Sequence, residues 1–479
     1  MKRTAVLIGM VLLMAMQCLA APTAGKPSSV QLTIYNQNFA LVKEERGMTL
    51  NKGINLIPVQ DVAATIEASS VAFKSLTDPD SVVVREQNYQ YDLINPNTIL
   101  NKSVGKKVKV RRFEDGKMQE VEGILLSSAE NGRVIQTSRG ILLNPIGEIE
   151  VAELPEGLVS RPTLVWKLEA SKAGAHRTEI SYLANRITWL ADYVVVVDPL
   201  DKHVDLTGWV TLSNNSGATY ENASLNLMAG DVRRVQEADY MMLYGGVERI
   251  PPPPGAAEPQ FVEKSFFEYH LYTLKEKTTV RDKETKQITL LTAARVPANK
   301  IYIYDGRLNW WNRWRYNSGY RPGESYNVSV NKKVSVLLEI VNSKESNLGI
   351  PLPKGKVRVY KQETDANQHF IGEDEIDHTP KDEKIRLYVG DAFDIVGEHK
   401  RTNFRRISDH EVEESFEISL RNHKETPVNI VAVEHLISDW KIIASSHKWF
   451  KKDASTVEIS VEVPKDGEVK VTYTARTRW

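Results

Sequence analysis

The chain has 479 residues, more than one hydrophobic core ordinarily supports, which predicts about three domains. Apolar residues make up 41% and charged residues 26%, a balance that excludes wholesale disorder. The 62 basic residues equal the 62 acidic ones, which leaves no basic footprint for nucleic acid, and a single Cys excludes a disulfide framework, a paired-Cys zinc site and a Cys-ligated iron–sulfur cluster.

At the amino terminus Lys2 and Arg3 precede an apolar run from Ala5 to Met16 and then Gln17-Cys18-Leu19-Ala20-Ala21-Pro22. Charge, apolar run and small residues in that order predict a secretory signal peptide over residues 1–20. The run is shorter than the roughly 18 to 20 residues that a membrane span needs. Met16 and Gln17 stand where a lipid-anchoring signal has small residues, which argues against a lipidated Cys18. Cleavage removes both basic residues and the Cys, so the mature chain carries a net charge of −2 and is expected in the periplasm or outside the cell, held together by burial alone. No later stretch is long and apolar enough to span a bilayer.

The mature sequence reads as all-β, with several β-sandwich domains, one small barrel and few short helices. A first β region covers residues 28–95, with strands at Val30–Tyr35, Ala40–Thr49 and, after an Asn51-Lys52-Gly53 turn, Ile54–Pro58. Asn95 can cap a short helix with Pro96 in its first position, stopping at Gly105. Some five strands follow, punctuated by Asp115-Gly116, Asn131-Gly132 and Ser138-Arg139-Gly140, so residues 96–155 are expected to form a barrel of the SH3 or Sm kind. Residues 160–235 read as a sandwich region with strands at Val194–Val197, Leu206–Leu212 and Leu225–Met228. The pattern breaks over residues 236–265, where Pro251–Pro254 and paired glycines predict a linker or long loop. Residues 266–479 then read as a C-terminal sandwich region, with alternation in Ser415–Leu420, Val428–Glu434, Val457–Val463 and Glu468–Ala475.

Within that region an aromatic loop, residues 305–327, gathers Trp310, Trp311, Trp314, Tyr316, Tyr320 and Tyr326 among Arg, Asn, Gly and Pro. Flat rings with polar handles beside guanidinium groups can bind a glycan, a protein partner or a membrane interface, or can fold back over a sheet edge. Trp310, Trp311, Trp314, Tyr316 and Tyr320 are therefore the candidate ligand-binding residues. A second candidate is the acidic run Glu373-Asp374-Glu375 with Asp377, His378, Asp382 and Glu383, but strand alternation puts Asp374 and Ile376 on one face and Glu375 and Asp377 on the other. Seven of the ten histidines fall late, from His369 to His447, at spacings that match no metal-binding pattern. The nucleophile elbow, the Walker loop and the dinucleotide fingerprint are all missing, so no catalytic residue, metal or cofactor is assigned. Asn101, Asn214, Asn222 and Asn327 stand in glycosylation sequons, which predicts surface loops at each.

Several longer strings carry a family likeness. Ser181-Tyr182-Leu183, Ile187–Tyr193 and Gly208–Gly217, then Phe266–Tyr272, Gly349–Pro353 with Gly355–Tyr360, and Phe370–Asp374 with Asp377–Pro380, resemble the bacterial family called domain of unknown function 4139. The likeness runs from about Thr163 onward and extends to Leu32–Tyr91. It implies a β-rich periplasmic or secreted protein, related to a domain in mucoidy inhibitor A homologues, and it implies no catalytic residues. The aromatic loop has no counterpart in that pattern. Two functions are expected from this reading: a non-enzymatic envelope scaffold or interaction protein, or a protein that binds or processes envelope glycan through the aromatic loop. Hydrolysis would add the need for two carboxylates roughly 5 to 9.5 Å apart across a cleft.

Overall fold

The computed structural model describes residues 23–114, 117–129, 132–234, 260–306, 331–436 and 438–479. The expected signal peptide over residues 1–20, with Cys18, lies outside the described residues, as do the prolines at 251–254. Among the described residues the chain is all-β, with one α-helix, Pro96–Lys102, and one short 3₁₀ turn. It divides into two compact units. One comprises the residues up to Thr188 with Leu212–Met228 and Glu276–Thr285; the other comprises Trp189–Thr211, Ala229–Lys275 and Lys286–Trp479.

The first unit holds two sheets of a sandwich and a separate five-stranded sheet. Its larger sheet runs in the order Tyr220–Ala229, Thr23–Tyr35, Phe39–Leu50, Gly174–Asn185, Ala72–Ser75, and a second sheet sets Thr163–Ala170 between Gly53–Gln60 and Val82–Gln90. Alternation in Phe39–Leu50 turns Val42, Met48 and Leu50 inward, and with them the charged pair Glu44 and Arg46. That buried pair is tied at 2.7 Å, and the Tyr182 hydroxyl donates to Glu44 at 3.3 Å, which offsets the loss of hydration on both charges. Across the two sheets the fully buried Trp166 packs against Phe73 with ring centres 5.4 Å apart.

The third sheet begins with the helix that the sequence announces: the Asn95 side chain accepts from the Thr98 N–H at 2.9 Å and Pro96 fills the first position. Five strands follow in the order Glu148–Val151, Lys107–Glu114, Lys117–Ala129, Gly132–Thr137, Gly140–Leu143. The expected hairpins close as Glu114 opposite Lys117 and Ala129 opposite Gly132. Val108, Val110, Leu125 and Ile135 share a core with Leu100 of the helix. Gly123 is required here, because an added Cβ would lie 2.6 Å from the Gln136 carbonyl oxygen on the neighbouring strand. Among the described residues no ladder joins Gly140–Leu143 to Glu148–Val151, so the expected barrel is an open five-stranded sheet over its core.

In the second unit the ladder runs Gln368–Ile376, Gly355–Gln362, Ile187–Val197, His203–Asn214, Glu284–Asp305, Lys333–Val341, Lys384–Ser408, Glu411–Asn422, Gly467–Arg478, Asp439–Ser445. Val428–His435 pairs in parallel with the end of Glu284–Asp305 and antiparallel with Thr456–Val463. Phe416, Ile418 and Leu420 face Ile430, Ala432, Val457, Ile459 and Val461 across the C-terminal core, with Val471 and Tyr473 beside them. The strict alternation of the last strands is what lets each give one face to this core. Phe261–Phe266, inside the stretch read from sequence as linker or loop, is a strand paired with Tyr269–Leu274.

Three strands end on the same device, which the sequence repeats as apolar-x-apolar-x-Asn: Val210–Asn214, Leu338–Asn342 and Ile418–Asn422. Each Asn is fully buried. The Asn422 amide nitrogen donates to the carbonyls of Thr426, Val463 and Pro464 at 2.9 to 3.4 Å, and its oxygen accepts the Lys424 N–H at 3.0 Å. Asn214 serves Ala218, Val280 and Arg281 in the same way and accepts from Ser216 N–H, while Asn342 serves Ile350 and Pro380 and accepts from Gly349 N–H. One side chain thus fixes a turn and the strand beyond it. For Asn214 this corrects the surface position expected from its sequon: the amide is spent inside the protein. Replacing Asn422 by Ala strands several buried backbone groups, and urea unfolding should show a loss of about 3 kcal/mol. A loss under about 1 kcal/mol would show that water satisfies those groups.

Candidate functional site

The C-terminal core ends at the strand Asp439–Ser445, which pairs with Gly467–Arg478 on one side. The pairing slips between Ile442 and Ala444, so Ile443 bulges outward and is left exposed. Beyond it the chain is pinned by Ser446, whose N–H donates to the Thr472 carbonyl at 2.8 Å and whose hydroxyl accepts the Thr472 N–H at 2.9 Å. It then passes to Phe450–Lys451, which pairs with Thr456–Val463. The segment between these two strands carries Trp449 toward Trp440, with ring centres 6.3 Å apart in an edge-to-face arrangement. The Trp440 indole N–H donates to the Ala454 carbonyl at 2.7 Å, and the Lys451 ammonium lies 4.5 Å from the Trp440 ring centre.

Two depressions result. The larger, about 570 Å³, is lined by Ile442 to Trp449; the other, about 290 Å³, is lined by Val431, Lys448, Trp449, Phe450, Glu458 and Ser460. They share Lys448 and Trp449. Trp449 is 40% exposed and Phe450 66%, so their faces are open to a ligand while the Trp440 hydrogen bond fixes the ring behind them. Sequence reading missed this groove: Trp440, Trp449 and Phe450 sit at strand ends, and a fold must bring them together. Trp449-Phe450 directly after Lys448 is the signal that was there.

The residues singled out from sequence fare differently. Trp310, Trp311, Trp314, Tyr316 and Tyr320 lie outside the described residues. At the ends of that stretch, His435 hydrogen-bonds Asp305 at 2.8 Å and the Asn331 amide donates to the Asp305 carbonyl at 2.8 Å. The acidic run alternates as expected, with Asp374 and Ile376 buried and Glu373 and Glu375 exposed. Both Asp374 oxygens accept backbone N–H groups, from Glu375 and Tyr388, at 2.7 Å. Burial raises its pKa, and the carboxylate serves as a backbone clamp. Glu373 pairs with Lys356, and Glu375 with Lys354. His378 accepts the Lys354 N–H at 3.1 Å, and burial first, with the neighbouring Lys354 and His270 charges, lowers its pKa against the pull of Asp231 and Asp377. His399 is buried beside Glu434 at 3.2 Å, whose other oxygen accepts the Tyr473 hydroxyl at 2.6 Å. Among the described residues no three of His, Cys, Asp and Glu converge to hold a metal.

One further charged cluster lies in the second unit: Asp201 holds both Lys300 and Lys361, the latter at 2.6 Å. Burial alone would raise the Asp201 pKa, but the hydrogen bonds and charges of the two lysines hold it below the usual carboxylate range. The cluster ties the turn at Asp198–Asp201 to strands Gly355–Gln362 and Glu284–Asp305, which is a structural use of the charges.

Comparison with models of known protein families gives no match, and comparison with curated proteins gives none.

The Asp201 cluster carries a pH signature. Its pKa is lower folded than unfolded, so its stabilisation is complete above the unfolded pKa and is lost as pH falls through the folded one. Asp201→Asn should therefore reduce stability at neutral pH and converge with the parent protein in acid, below about pH 3. Thermal unfolding followed from pH 7 to pH 2 checks this; a constant gap across the range would contradict it.

Proposed function

We propose that this chain is an exported, non-catalytic binding protein of the cell envelope, in which β domains form the scaffold and the edge of the C-terminal sandwich presents the ligand groove. The observation that carries the reading is the exposed Trp449–Phe450 surface over two connected depressions, backed by a Trp440 ring that is hydrogen-bonded in place. Open aromatic faces on a rigid support bind at low entropic cost, because little has to be ordered on contact. The sequence contributes the export signal at residues 1–20 and the likeness to the domain of unknown function 4139 family, both of which agree with an envelope location. Among the described residues no helix is long and apolar enough to cross a membrane.

A binding role is favoured over glycan hydrolysis by what the acidic residues do. Asp374 is committed to two backbone N–H groups, and Glu458, the acid that lines the groove, is paired with Lys452 at 2.5 Å. A general acid needs a proton to give and a clear path to the leaving oxygen, and an ammonium in contact favours the ionised carboxylate. The second expected role, glycan handling through Trp310, Trp311 and Trp314, rests on different residues and is separable by mutation.

The test is co-sedimentation of the purified chain with an insoluble envelope fraction. The parent protein should be retained, a Trp449→Ala, Phe450→Ala double variant should lose most of its retention while keeping its unfolding midpoint within a few degrees, and neither should release reducing ends. Equal retention of both proteins, or release of reducing ends by the parent, would overturn the proposal.

A further inference from the structure

The groove has a charge as well as a shape. Lys448 lines both depressions and has no ion-pair partner among the described residues. The one acid in the lining, Glu458, is neutralised by Lys452 from outside the lining, and a second ammonium, Lys451, is held over the Trp440 ring. His447 stands in the same wall, hydrogen-bonded to the Ser446 hydroxyl at 2.9 Å. Of these groups the cations Lys448, Lys451 and Lys452 outnumber the one acid of the lining, Glu458, in a protein whose total charge is balanced. Lys448, without an ion-pair partner among the described residues, and Trp449 line both depressions side by side in the chain, a pairing of cation and ring that is complementary to a ligand joining an apolar ring face to an anionic group.

We propose that the groove takes an acidic oligosaccharide, with one pyranose ring stacked on Trp449 and its carboxylate on Lys448. The inference rests on the binding reading above and adds the ligand class. A pyranose presents a C–H face that an indole can desolvate and a polar rim that stays in water, which suits a surface 40% exposed at Trp449 and 66% at Phe450. The two depressions side by side leave room for a neighbouring sugar on each flank of the stacked one. A flat, purely apolar ligand would leave the Lys448 charge partly desolvated with nothing to pair it, and a simple polyanion would leave the rings without a partner. The bulge at Ile443 argues against an added peptide strand, because it bends the edge that such a strand would have to follow.

The experiment measures binding of hexagalacturonate, of its methyl ester and of polyglutamate to the full mature chain by calorimetry, at two salt concentrations. The ester keeps the rings and removes the charge; polyglutamate keeps the charge and removes the rings. Hexagalacturonate should bind saturably and more weakly in high salt, and the ester about tenfold or more weaker, the size expected for one charge-assisted hydrogen bond. Lys448→Ala should bring the acid down to the level of the ester, Lys448→Arg should restore most of the difference, and Trp449→Ala should abolish binding of both sugars. Equal binding of acid and ester, or of polyglutamate and hexagalacturonate, would overturn the inference. If the chain is retained on envelope material through Trp449 and none of these probes binds, the acidic-sugar inference falls while the binding reading survives. If Trp449→Ala leaves both retention and hexagalacturonate binding intact, both fall.

Discussion

A hydrogen-bonded sheet must stop somewhere, and the way the C-terminal sheet stops governs what this protein can offer a ligand. An open edge strand exposes backbone donors and acceptors and invites unwanted pairing, so edges are blunted by bulges, charges or cover. At Asp439–Ser445 all three appear: Ile443 bulges, Lys441 points outward, and the segment beyond the strand brings Trp449 against Trp440. The cover that protects the edge is itself a concave aromatic surface. In the proposed reading, protection and recognition are two consequences of the same few residues.

That surface is useful only if its support does not move, and the support has no internal disulfide, since the chain has a single Cys. Burial supplies most of the holding force, with Phe416 stacked on Tyr473 at 5.1 Å and the valines and isoleucines of Thr456–Val463 packed below. Burial is non-directional, however, and does not by itself set where a turn ends. The buried amides of Asn214, Asn342 and Asn422 add direction, each tying a strand end to a turn and to a second strand. The Asp201 cluster and the Asp374 clamp do the same with charge. Much of the chain's buried polarity is consequently structural, and the groove at the sandwich edge stands out because its cation, Lys448, is not used in this way.

How far the sequence disclosed this depends on the range of the interaction concerned. Period-two alternation is local, so the all-β class, the Asn95 cap with Pro96 and the hairpins flanking Asp115-Gly116 and Asn131-Gly132 were all readable, as was the shared face of Asp374 and Ile376, though not that this face is buried. Closure is not local: nothing in residues 140–151 says whether the last two strands meet, and the sheet is open there. Asn214 misled because a sequon is a local pattern, whereas its amide is claimed by Val280 and Arg281, more than sixty residues away. The groove was invisible for the same reason. Trp440 and Trp449 meet only through the segment that joins two strands of the folded sheet, whereas the dense aromatic stretch at 305–327 drew notice by composition alone.

Two aromatic-rich stretches, 305–327 and 440–450, are therefore candidates for the ligand site, and the proposed site is the one at the sandwich edge. Hydrogen–deuterium exchange of the full mature chain, with and without saturating hexagalacturonate, tests that proposal directly. Protection concentrated in peptides covering residues 439–452, and absent in Trp449→Ala, is the expected result. Protection confined to peptides covering residues 305–327, with 439–452 unchanged, would contradict it.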